Sequence, residues 1–123
     1  MSTSSISIMI VEDNPELGQL YERILALKGY SVLHHSDNGQ DAIEFYKAIS
    51  EYPALILMDY RMPVKDGLTA SLEILRMNPD QRILIVSADA SIQSDISYST
   101  SMQFLKKPFQ IMELLQRVAN MIP

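Results

Sequence analysis

Apolar residues in this chain are concentrated in five short segments with the length and composition of strands. The most continuous of them are typical of strands that are buried on both faces of a parallel sheet. Each segment is followed by polar residues, glycine or proline, which mark turns. The predicted strands are Ile6–Val11, Tyr30–His35, Leu55–Met58, Arg82–Ser87 and Gln103–Leu105.

Between these strands, apolar residues recur every three or four positions, as on one face of a helix. Pro15 and Gly29 mark the ends of the first helix, because proline is favoured in a first turn and glycine just after a last turn. The segment Ala88–Tyr98 is rich in serine, so it predicts a marginal, exposed helix. The other predicted helices contain Ala42–Ile49 and end near Pro53, run from Gly67 to Asn78, and run from Phe109 to Met121.

Strands and helices therefore alternate five times along the chain. This alternation predicts an α/β fold, a doubly wound parallel sheet with right-handed crossovers and helices on both faces. Five strands fit the flavodoxin-like order 2-1-3-4-5 best, which makes the first and third strands neighbours. We expect residues 6–123 to form a single domain and residues 1–5 to be a disordered or frayed tail.

Polar side chains stand where four of these strands end. Glu12 and Asp13 follow the first strand, Asp59 follows the third, Ser87 ends the fourth and Lys107 follows the last. Each alone also fits an ordinary role, such as a turn residue or a solvated charge. Ligands of such folds bind at the carboxyl ends of the strands, so the joint placement is what indicates a site.

Three carboxylates at one edge of a sheet repel one another and require a cation. Mg²⁺ prefers a few carboxylate or carbonyl oxygens together with water and phosphate. A metal ion and a lysine can neutralise phosphate oxygens, a hydroxyl can bind one of them, and a carboxylate can attack phosphorus. The five polar residues therefore predict a magnesium site that is suited to phosphoryl transfer.

Composition narrows the alternatives. Of the 123 residues, 47% are hydrophobic, which is enough for a core, and the absence of cysteine excludes disulfides, thiolate metal sites and cysteine nucleophiles. The net charge of −5 argues against direct nucleic-acid binding. No apolar run approaches the roughly 20 residues that span a bilayer, and no signal peptide is apparent. We therefore expect a cytoplasmic protein with no membrane association.

Four motifs together resemble the receiver domain of two-component response regulators, and the resemblance extends from Ile6 to about Met121. It implies that Asp59 accepts a phosphoryl group from the phosphohistidine of a histidine kinase. It also implies that Asp13, Asp59 and the backbone carbonyl of Arg61 bind Mg²⁺ directly, that Glu12 acts through water, and that Mn²⁺ could substitute. The motifs are Val11–Asn14, Met58–Pro63 with Asp66 and Gly67, Ser87 with Ala88, and Lys107–Phe109.

By the same resemblance, Ser87 is the switch hydroxyl and Lys107 the lysine that pairs with phosphate. Phe104 matches the aromatic residue that turns inward on activation. Arg61 and Asp89 occupy the positions that tune the lifetime of the phosphate. Two arrangements are open for them: an ion pair between them that hinders the attacking water, or a direct contact of Arg61 with phosphate.

The implied partners are a sensor histidine kinase or phosphotransfer protein, a downstream protein or a missing output domain, and a phosphorylation-dependent homodimer. The protein would not be an enzyme, apart from catalysing its own phosphoryl transfer and dephosphorylation. Thr100 and Ser101 depart from the Gly-Ala pair that is usual in the family before the last strand. This departure makes the geometry of that loop an open question.

Three other functions compete with this assignment. A phosphatase of the haloacid dehalogenase type needs a second aspartate two residues after the nucleophile, where this chain has Arg61. A flavodoxin-like cofactor binder needs a phosphate loop after the first strand, where Glu12 and Asp13 would repel phosphate. The closest alternative is a degenerate receiver that acts as a phosphorylation-independent protein-interaction module.

Two further groups of residues favour structural roles. His34 and His35 alternate faces on a strand, so they cannot form a phosphorelay or metal pair on one face. The eight methionines are expected to fill the core, with Met102 or Met112 as candidates for a solvent-facing minority.

Overall fold

The computed structural model describes residues 6–96 and 101–122. Its five strands are all parallel and lie in the order β2-β1-β3-β4-β5, which confirms the predicted fold class and strand order. The elements in chain order are β1 Ser7–Val11, α1 Pro15–Leu27, β2 Ser31–Ser36, α2 Gly39–Ala48, β3 Leu55–Asp59, α3 Gly67–Met77, β4 Ile83–Ser87, a 3₁₀ turn Ala90–Ile92, α4 Gln93–Ile96, β5 Met102–Lys106 and α5 Ile111–Met121.

The central strands are buried on both faces, as their continuous apolar runs predict. Because successive side chains of a strand point to opposite faces, each strand contributes to two cores. Met9, Ile56 and Ile85 pack with α2 and α3 on one face of the sheet. Ile10, Leu57 and Val86 pack with α1 and α5 on the other. Helices thus cover both faces of the sheet, and the carboxyl ends of its five parallel strands lie along one edge.

Several boundaries differ from the predictions. Helix α2 ends at Ala48, several residues before Pro53, because the chain turns back and Tyr52 stacks on Tyr46 with ring centroids 4.4 Å apart. Helix α5 begins at Ile111, two residues later than predicted. Strand β5 is longer than predicted by one residue at each end, because its pairing with β4 continues from Met102 to Lys106.

In the described part of the segment after β4, which ends at Ile96, the α-helix starts later than the predicted Ala88. This part consists of a 3₁₀ turn, in which the Asp89 side chain accepts from the Ser91 N–H at 2.9 Å, followed by the single turn α4. Ile92 and Ile96 are buried, so this segment is exposed only on its serine-rich side. Tyr98 lies outside the described residues.

The remaining predictions about single residues have mixed outcomes. Met102 is buried in the core, whereas Met112 is 69% exposed, so only the second is a surface methionine. The Ser101 hydroxyl donates to the Pro79 carbonyl at 2.8 Å, which ties the start of β5 to the loop before β4. Thr100 and the segment 1–5 lie outside the described residues. Among the described helices, none is both long and apolar enough to cross a bilayer.

Candidate functional site

Three carboxylates meet at the carboxyl ends of β1 and β3. Because these strands are neighbours, Glu12, Asp13 and Asp59 are brought together, and one oxygen of each lies within 4.8 Å of the others. Glu12 and Asp59 are buried, whereas Asp13 is exposed to solvent. An open cleft of about 410 Å³ lies beside Asp13, between it and the loop that follows β3. The exposed Asp13 therefore connects the buried carboxylates to solvent.

The turn after β1 fixes the Glu12 carboxylate in place. One of its oxygens accepts from the Asn14 N–H at 3.0 Å, and the Asn14 side chain in turn caps α1 by accepting from the Leu17 N–H at 3.1 Å. The other oxygen, Oε1, is buried and has no hydrogen-bond partner among the described residues. A buried carboxylate oxygen without a hydrogen-bond partner is costly, so this atom is a candidate for contact with a donor or a metal ion.

Lys107 supplies one positive charge to the cluster. Its ammonium group donates to Asp59 Oδ1 at 2.8 Å and lies 3.8 Å from Glu12 Oε1, which is an ionic contact but too long for a hydrogen bond. Its backbone N–H donates to the Ser87 carbonyl at 2.8 Å, so the end of β4 holds the lysine loop in place. Lys107 thus stands between the two buried carboxylates.

The electrostatics of the cluster leave negative charge uncompensated. Burial raises the pKa of Glu12 to about 7, and the negative charge of Asp59 adds to this effect. Burial also raises the pKa of Asp59, although its hydrogen bond to Lys107 works in the opposite direction. Both shifts mean that the site disfavours its own charged carboxylates. The oxygen donors, the unpartnered Oε1 and the surplus negative charge together fit a hard divalent cation such as Mg²⁺.

Tyr21 of α1 is buried beside these carboxylates. Burial, together with the charges of Glu12 and Asp59, raises the pKa of its phenol. Its ring stacks on Phe109, with centroids 6.3 Å apart, and so joins α1 to the loop before α5.

Ser87, Arg61 and Asp89 form a second group beside the cluster. The Ser87 hydroxyl accepts from the Asp89 N–H at 3.0 Å. The Arg61 guanidinium pairs with the Asp89 carboxylate at 3.4 Å, with the arginine side chain 75% exposed. The ion pair that the sequence leaves open is therefore present in the structure, and its effect on the lifetime of the phosphate stays a prediction.

The loop after β3 depends on Gly67. A Cβ at this position would lie 2.1 Å from the Asp59 carbonyl oxygen, so no larger residue fits without moving the backbone of Asp59. The Gly67 N–H donates to the Tyr60 carbonyl at 2.8 Å, and the Asp66 side chain caps α3. The loop thereby returns tightly to the end of β3 and keeps Arg61 at the mouth of the cleft.

Phe104 lies away from the carboxylates, on β5 opposite Ile85 of β4. Its ring is half-buried against the core cluster that includes Ile92 and Ile96. Its carbonyl accepts from Arg117 of α5 at 2.8 Å. Phe104 thus lies beside β4, the strand that ends at Ser87.

The model of the family described as "Response regulator receiver domain" matches residues 8–119. The chain belongs to this family. The receiver domain is 34% identical over 113 residues to the chemotaxis protein CheY of Bacillus subtilis (strain 168), and the match covers 90% of the chain and 92% of that protein. As a receiver domain of two-component response regulators, it has the function class that its motifs predict.

Solved structures agree on the fold of the receiver domain. The CheX-CheY-BeF3-Mg+2 complex from Borrelia burgdorferi contains a chain with a TM-score of 0.87 and 23% identity, and the match covers 94% of this chain and 87% of that one. The receiver domain from the hybrid histidine kinase CckA gives a TM-score of 0.79 and 26% identity, over 95% of this chain and 99% of that one.

The two histidines of β2 lie on opposite faces of the sheet, as the alternation predicts. His34 stacks on Phe45 of α2 with ring centroids 3.8 Å apart, and its Nε2 lies 3.3 Å from Asp41. His35 faces the other way, towards Gly18 of α1. The sequence patterns missed the contact between Gly18 and His35. A glycine inside a helical pattern was the available signal, because glycine weakens a helix unless packing requires it.

Proposed function

We propose that this receiver domain takes a phosphoryl group from a phosphohistidine onto Asp59 in a Mg²⁺-dependent reaction. An Asp59 carboxylate oxygen would attack phosphorus, forming a P–O bond as the P–N bond breaks, and the imidazole would leave with the electron pair and take up a proton. The supporting observation is the placement of Asp59, which is buried within reach of Glu12 and Asp13 and hydrogen-bonded to Lys107.

The donor set also supports a role for each metal ligand. Asp13, Asp59 and the backbone carbonyl of Arg61 would hold the ion directly, and Glu12 would act through water. When bound, Mg²⁺ neutralises negative charge on the carboxylates and on the phosphoryl oxygens. Mn²⁺ could substitute, because it also favours carboxylate, carbonyl and water ligands.

Two other residues would act on the phosphoryl group itself. Lys107, which already donates a hydrogen bond to Asp59 at 2.8 Å, would pair with a phosphoryl oxygen. The Ser87 hydroxyl would donate a hydrogen bond to another phosphoryl oxygen. Ser87 would then move away from the Asp89 N–H and open space for Phe104. The protein would catalyse only its own phosphorylation and dephosphorylation, and would act on partners by a change of surface.

The direct test is the intact mass of the protein after incubation with acetyl phosphate and Mg²⁺, compared with the same mixture containing EDTA. We expect a gain of one phosphoryl group only with Mg²⁺. If the protein binds Mg²⁺ in a titration but gains no phosphoryl group, the degenerate receiver becomes the better assignment.

The partners follow from this reaction. A sensor histidine kinase or a phosphotransfer protein would supply the phosphoryl group, and a downstream protein, an output domain or a second copy of the chain would recognise the phosphorylated surface. One structural relative is a CheY in complex with CheX, so protein contact is a known use of this fold. The reaction would take place in the cytoplasm, without direct contact with nucleic acid or membrane.

Ser87→Ala is expected to uncouple Phe104 from phosphorylation. Without the hydroxyl, β4 has no donor to move towards the phosphoryl group, so the packing around Phe104 keeps its unphosphorylated arrangement. The measurement is the change in the Phe104 ring chemical shifts on phosphorylation. Ser50→Ala, which removes an exposed hydroxyl after α2, should leave that change intact. A full Phe104 response in Ser87→Ala would contradict the coupling.

Arg61→Ala is expected to shorten the lifetime of the phosphate about two- to fivefold, because an exposed ion pair contributes at most about 1 kcal/mol. The Arg61–Asp89 pair would no longer stand at the mouth of the cleft to hinder the attacking water. The measurement is the rate of mass loss after acetyl phosphate is removed. Arg76→Ala on α3 is the control, and an unchanged or slower rate in Arg61→Ala would refute a shielding role.

A further inference from the structure

Gly18 leaves a space in α1 that the His35 ring occupies. A Cβ built on Gly18 would lie 2.0 Å from Cε1 and 2.4 Å from Nε2 of His35. Glycine inside a helix is less favourable than alanine, so its presence in the second turn of α1 calls for a compensating contact. The contact is the imidazole of His35, which reaches across from β2.

His35 uses this space to reach the turn that carries the carboxylates. Its Nε2 lies 3.0 Å from the backbone carbonyl oxygen of Glu12. A carbonyl oxygen can only accept, so Nε2 must carry the proton and donate it. The ring is therefore held in one orientation by Gly18 on one side and by the Glu12 carbonyl at its tip.

The Glu12 peptide lies just beyond the end of the β1–β2 pairing. The last paired residues are Val11 and Ser36, and the Glu12 N–H still donates to the Ser36 carbonyl at 2.9 Å. The Glu12 carbonyl has left the ladder, and the side chain of His35 replaces the missing strand partner. Strand β2 thus binds both the N–H and the carbonyl group of Glu12, the residue before Asp13.

We propose that His35 is a positioning residue for the metal site, and that Gly18 is glycine in order to admit it. By fixing the Glu12 carbonyl, His35 holds the turn that presents the Glu12 and Asp13 carboxylates to the ion. This assignment rests on the proposed Mg²⁺-dependent function but concerns residues outside the set of ligands and outside the family motifs of the sequence.

The expected effect is on metal affinity. Hydrogen-bond partners that orient metal ligands typically change affinity by about 10- to 100-fold when they are removed. His35 acts through the backbone rather than on a ligand atom, so the lower end of that range applies. We expect His35→Ala to weaken Mg²⁺ binding about tenfold.

The first experiment compares His35→Ala, His35→Gln and His34→Ala. Mg²⁺ affinity is measured by calorimetric titration, and the backbone amide shifts of Asp13 and Asn14 are measured in the metal-free protein. His35→Ala should weaken binding and shift both amides, whereas His35→Gln, which keeps a donor, should restore part of each. His34→Ala removes the neighbouring imidazole from the opposite face and should leave both readouts unchanged.

The second experiment substitutes Gly18 and leaves residue 35 as histidine. Gly18→Ala should displace the imidazole and weaken Mg²⁺ binding as His35→Ala does. In the His35→Ala background, Gly18→Ala should have no further effect on affinity and should raise the melting temperature, because alanine favours the helix. Additive losses of affinity from the two substitutions would overturn the pairing.

The outcomes separate this proposal from the proposed function. If His35→Ala binds Mg²⁺ as the wild type does, with unchanged metal-free amide shifts, the positioning role is overturned even where phosphorylation proceeds. If Mg²⁺ affinity depends on His35 but the wild type accepts no phosphoryl group, the phosphoacceptor function fails and the positioning role is supported. A loss of Mg²⁺ affinity in His34→Ala as large as that in His35→Ala would also overturn the proposal. It would show that any substitution of a β2 histidine disturbs the metal site.

Discussion

Asp59→Asn is expected to accept no phosphoryl group under conditions that phosphorylate the wild type fully. The amide oxygen of asparagine is a poor nucleophile, whereas the Asp59 carboxylate stands at the end of β3 with Lys107 bonded to it. The measurement is intact mass after incubation with acetyl phosphate and Mg²⁺. The size of the effect is complete loss, since the substitution removes the attacking atom rather than a group that assists it.

Asp66→Asn provides a matched control for this loss. Asp66 lies in the same loop and caps α3 by accepting from the Thr69 N–H at 2.8 Å, a role that asparagine performs equally well. This variant should be phosphorylated like the wild type. A phosphoryl group found on Asp59→Asn would mean that another carboxylate, such as Asp13, is the acceptor.

Asp59→Asn is also expected to stabilise the metal-free protein. Burial raises the pKa of Asp59, so the folded state opposes the charge that asparagine lacks. The urea midpoint of Asp59→Asn at neutral pH should therefore exceed that of the wild type, and Mg²⁺ should narrow the difference. A lower midpoint would show that the bond from Lys107 outweighs burial.

The second large effect is a dependence of metal-free stability on pH that arises at Glu12. Its pKa rises from an ordinary value of 4.5 to about 7 on folding, because the side chain is buried beside Asp59. The folded state therefore binds a proton that the unfolded state has released, and the free energy of unfolding falls as pH rises from 4.5 to 7. The loss attributable to this group is up to about 3 kcal/mol.

Urea unfolding at a series of pH values across this interval measures the effect. Glu12→Gln cannot titrate, so its stability should change much less with pH than that of the wild type. Added Mg²⁺ should restore the stability of the wild type above pH 7, because binding to the folded state compensates the charge. Parallel pH profiles for the wild type and Glu12→Gln would show that Glu12 has the same pKa in the folded and unfolded states.

The sequence predicts the fold well where burial alone decides the structure. Runs such as Leu55–Met58 have few other uses than a strand buried on both faces, and the alternation with helices leaves few topologies. The convergence of Glu12, Asp13 and Asp59 follows from the strand order, since strands that are neighbours end at the same edge. The pattern of the chain therefore locates the cluster before any distance is known.

What the sequence does not predict depends on contacts between distant side chains. Met102 is buried because β5 continues further along β4 than the predicted strand Gln103–Leu105 does. Helix α2 stops early because Tyr52 returns to stack on Tyr46. The unpartnered oxygen of Glu12 and the bond from His35 arise from exact side-chain positions, which no local pattern encodes.

Gly18 and His35 also constrain how this chain can change during evolution. A side chain at position 18 would collide with the imidazole, so replacing Gly18 is disfavoured as long as His35 is present. Once His35 is gone, alanine at position 18 is favoured because it strengthens α1. That second step then blocks the return of histidine. Related sequences are therefore expected either to keep both Gly18 and His35 or to have lost His35 before Gly18.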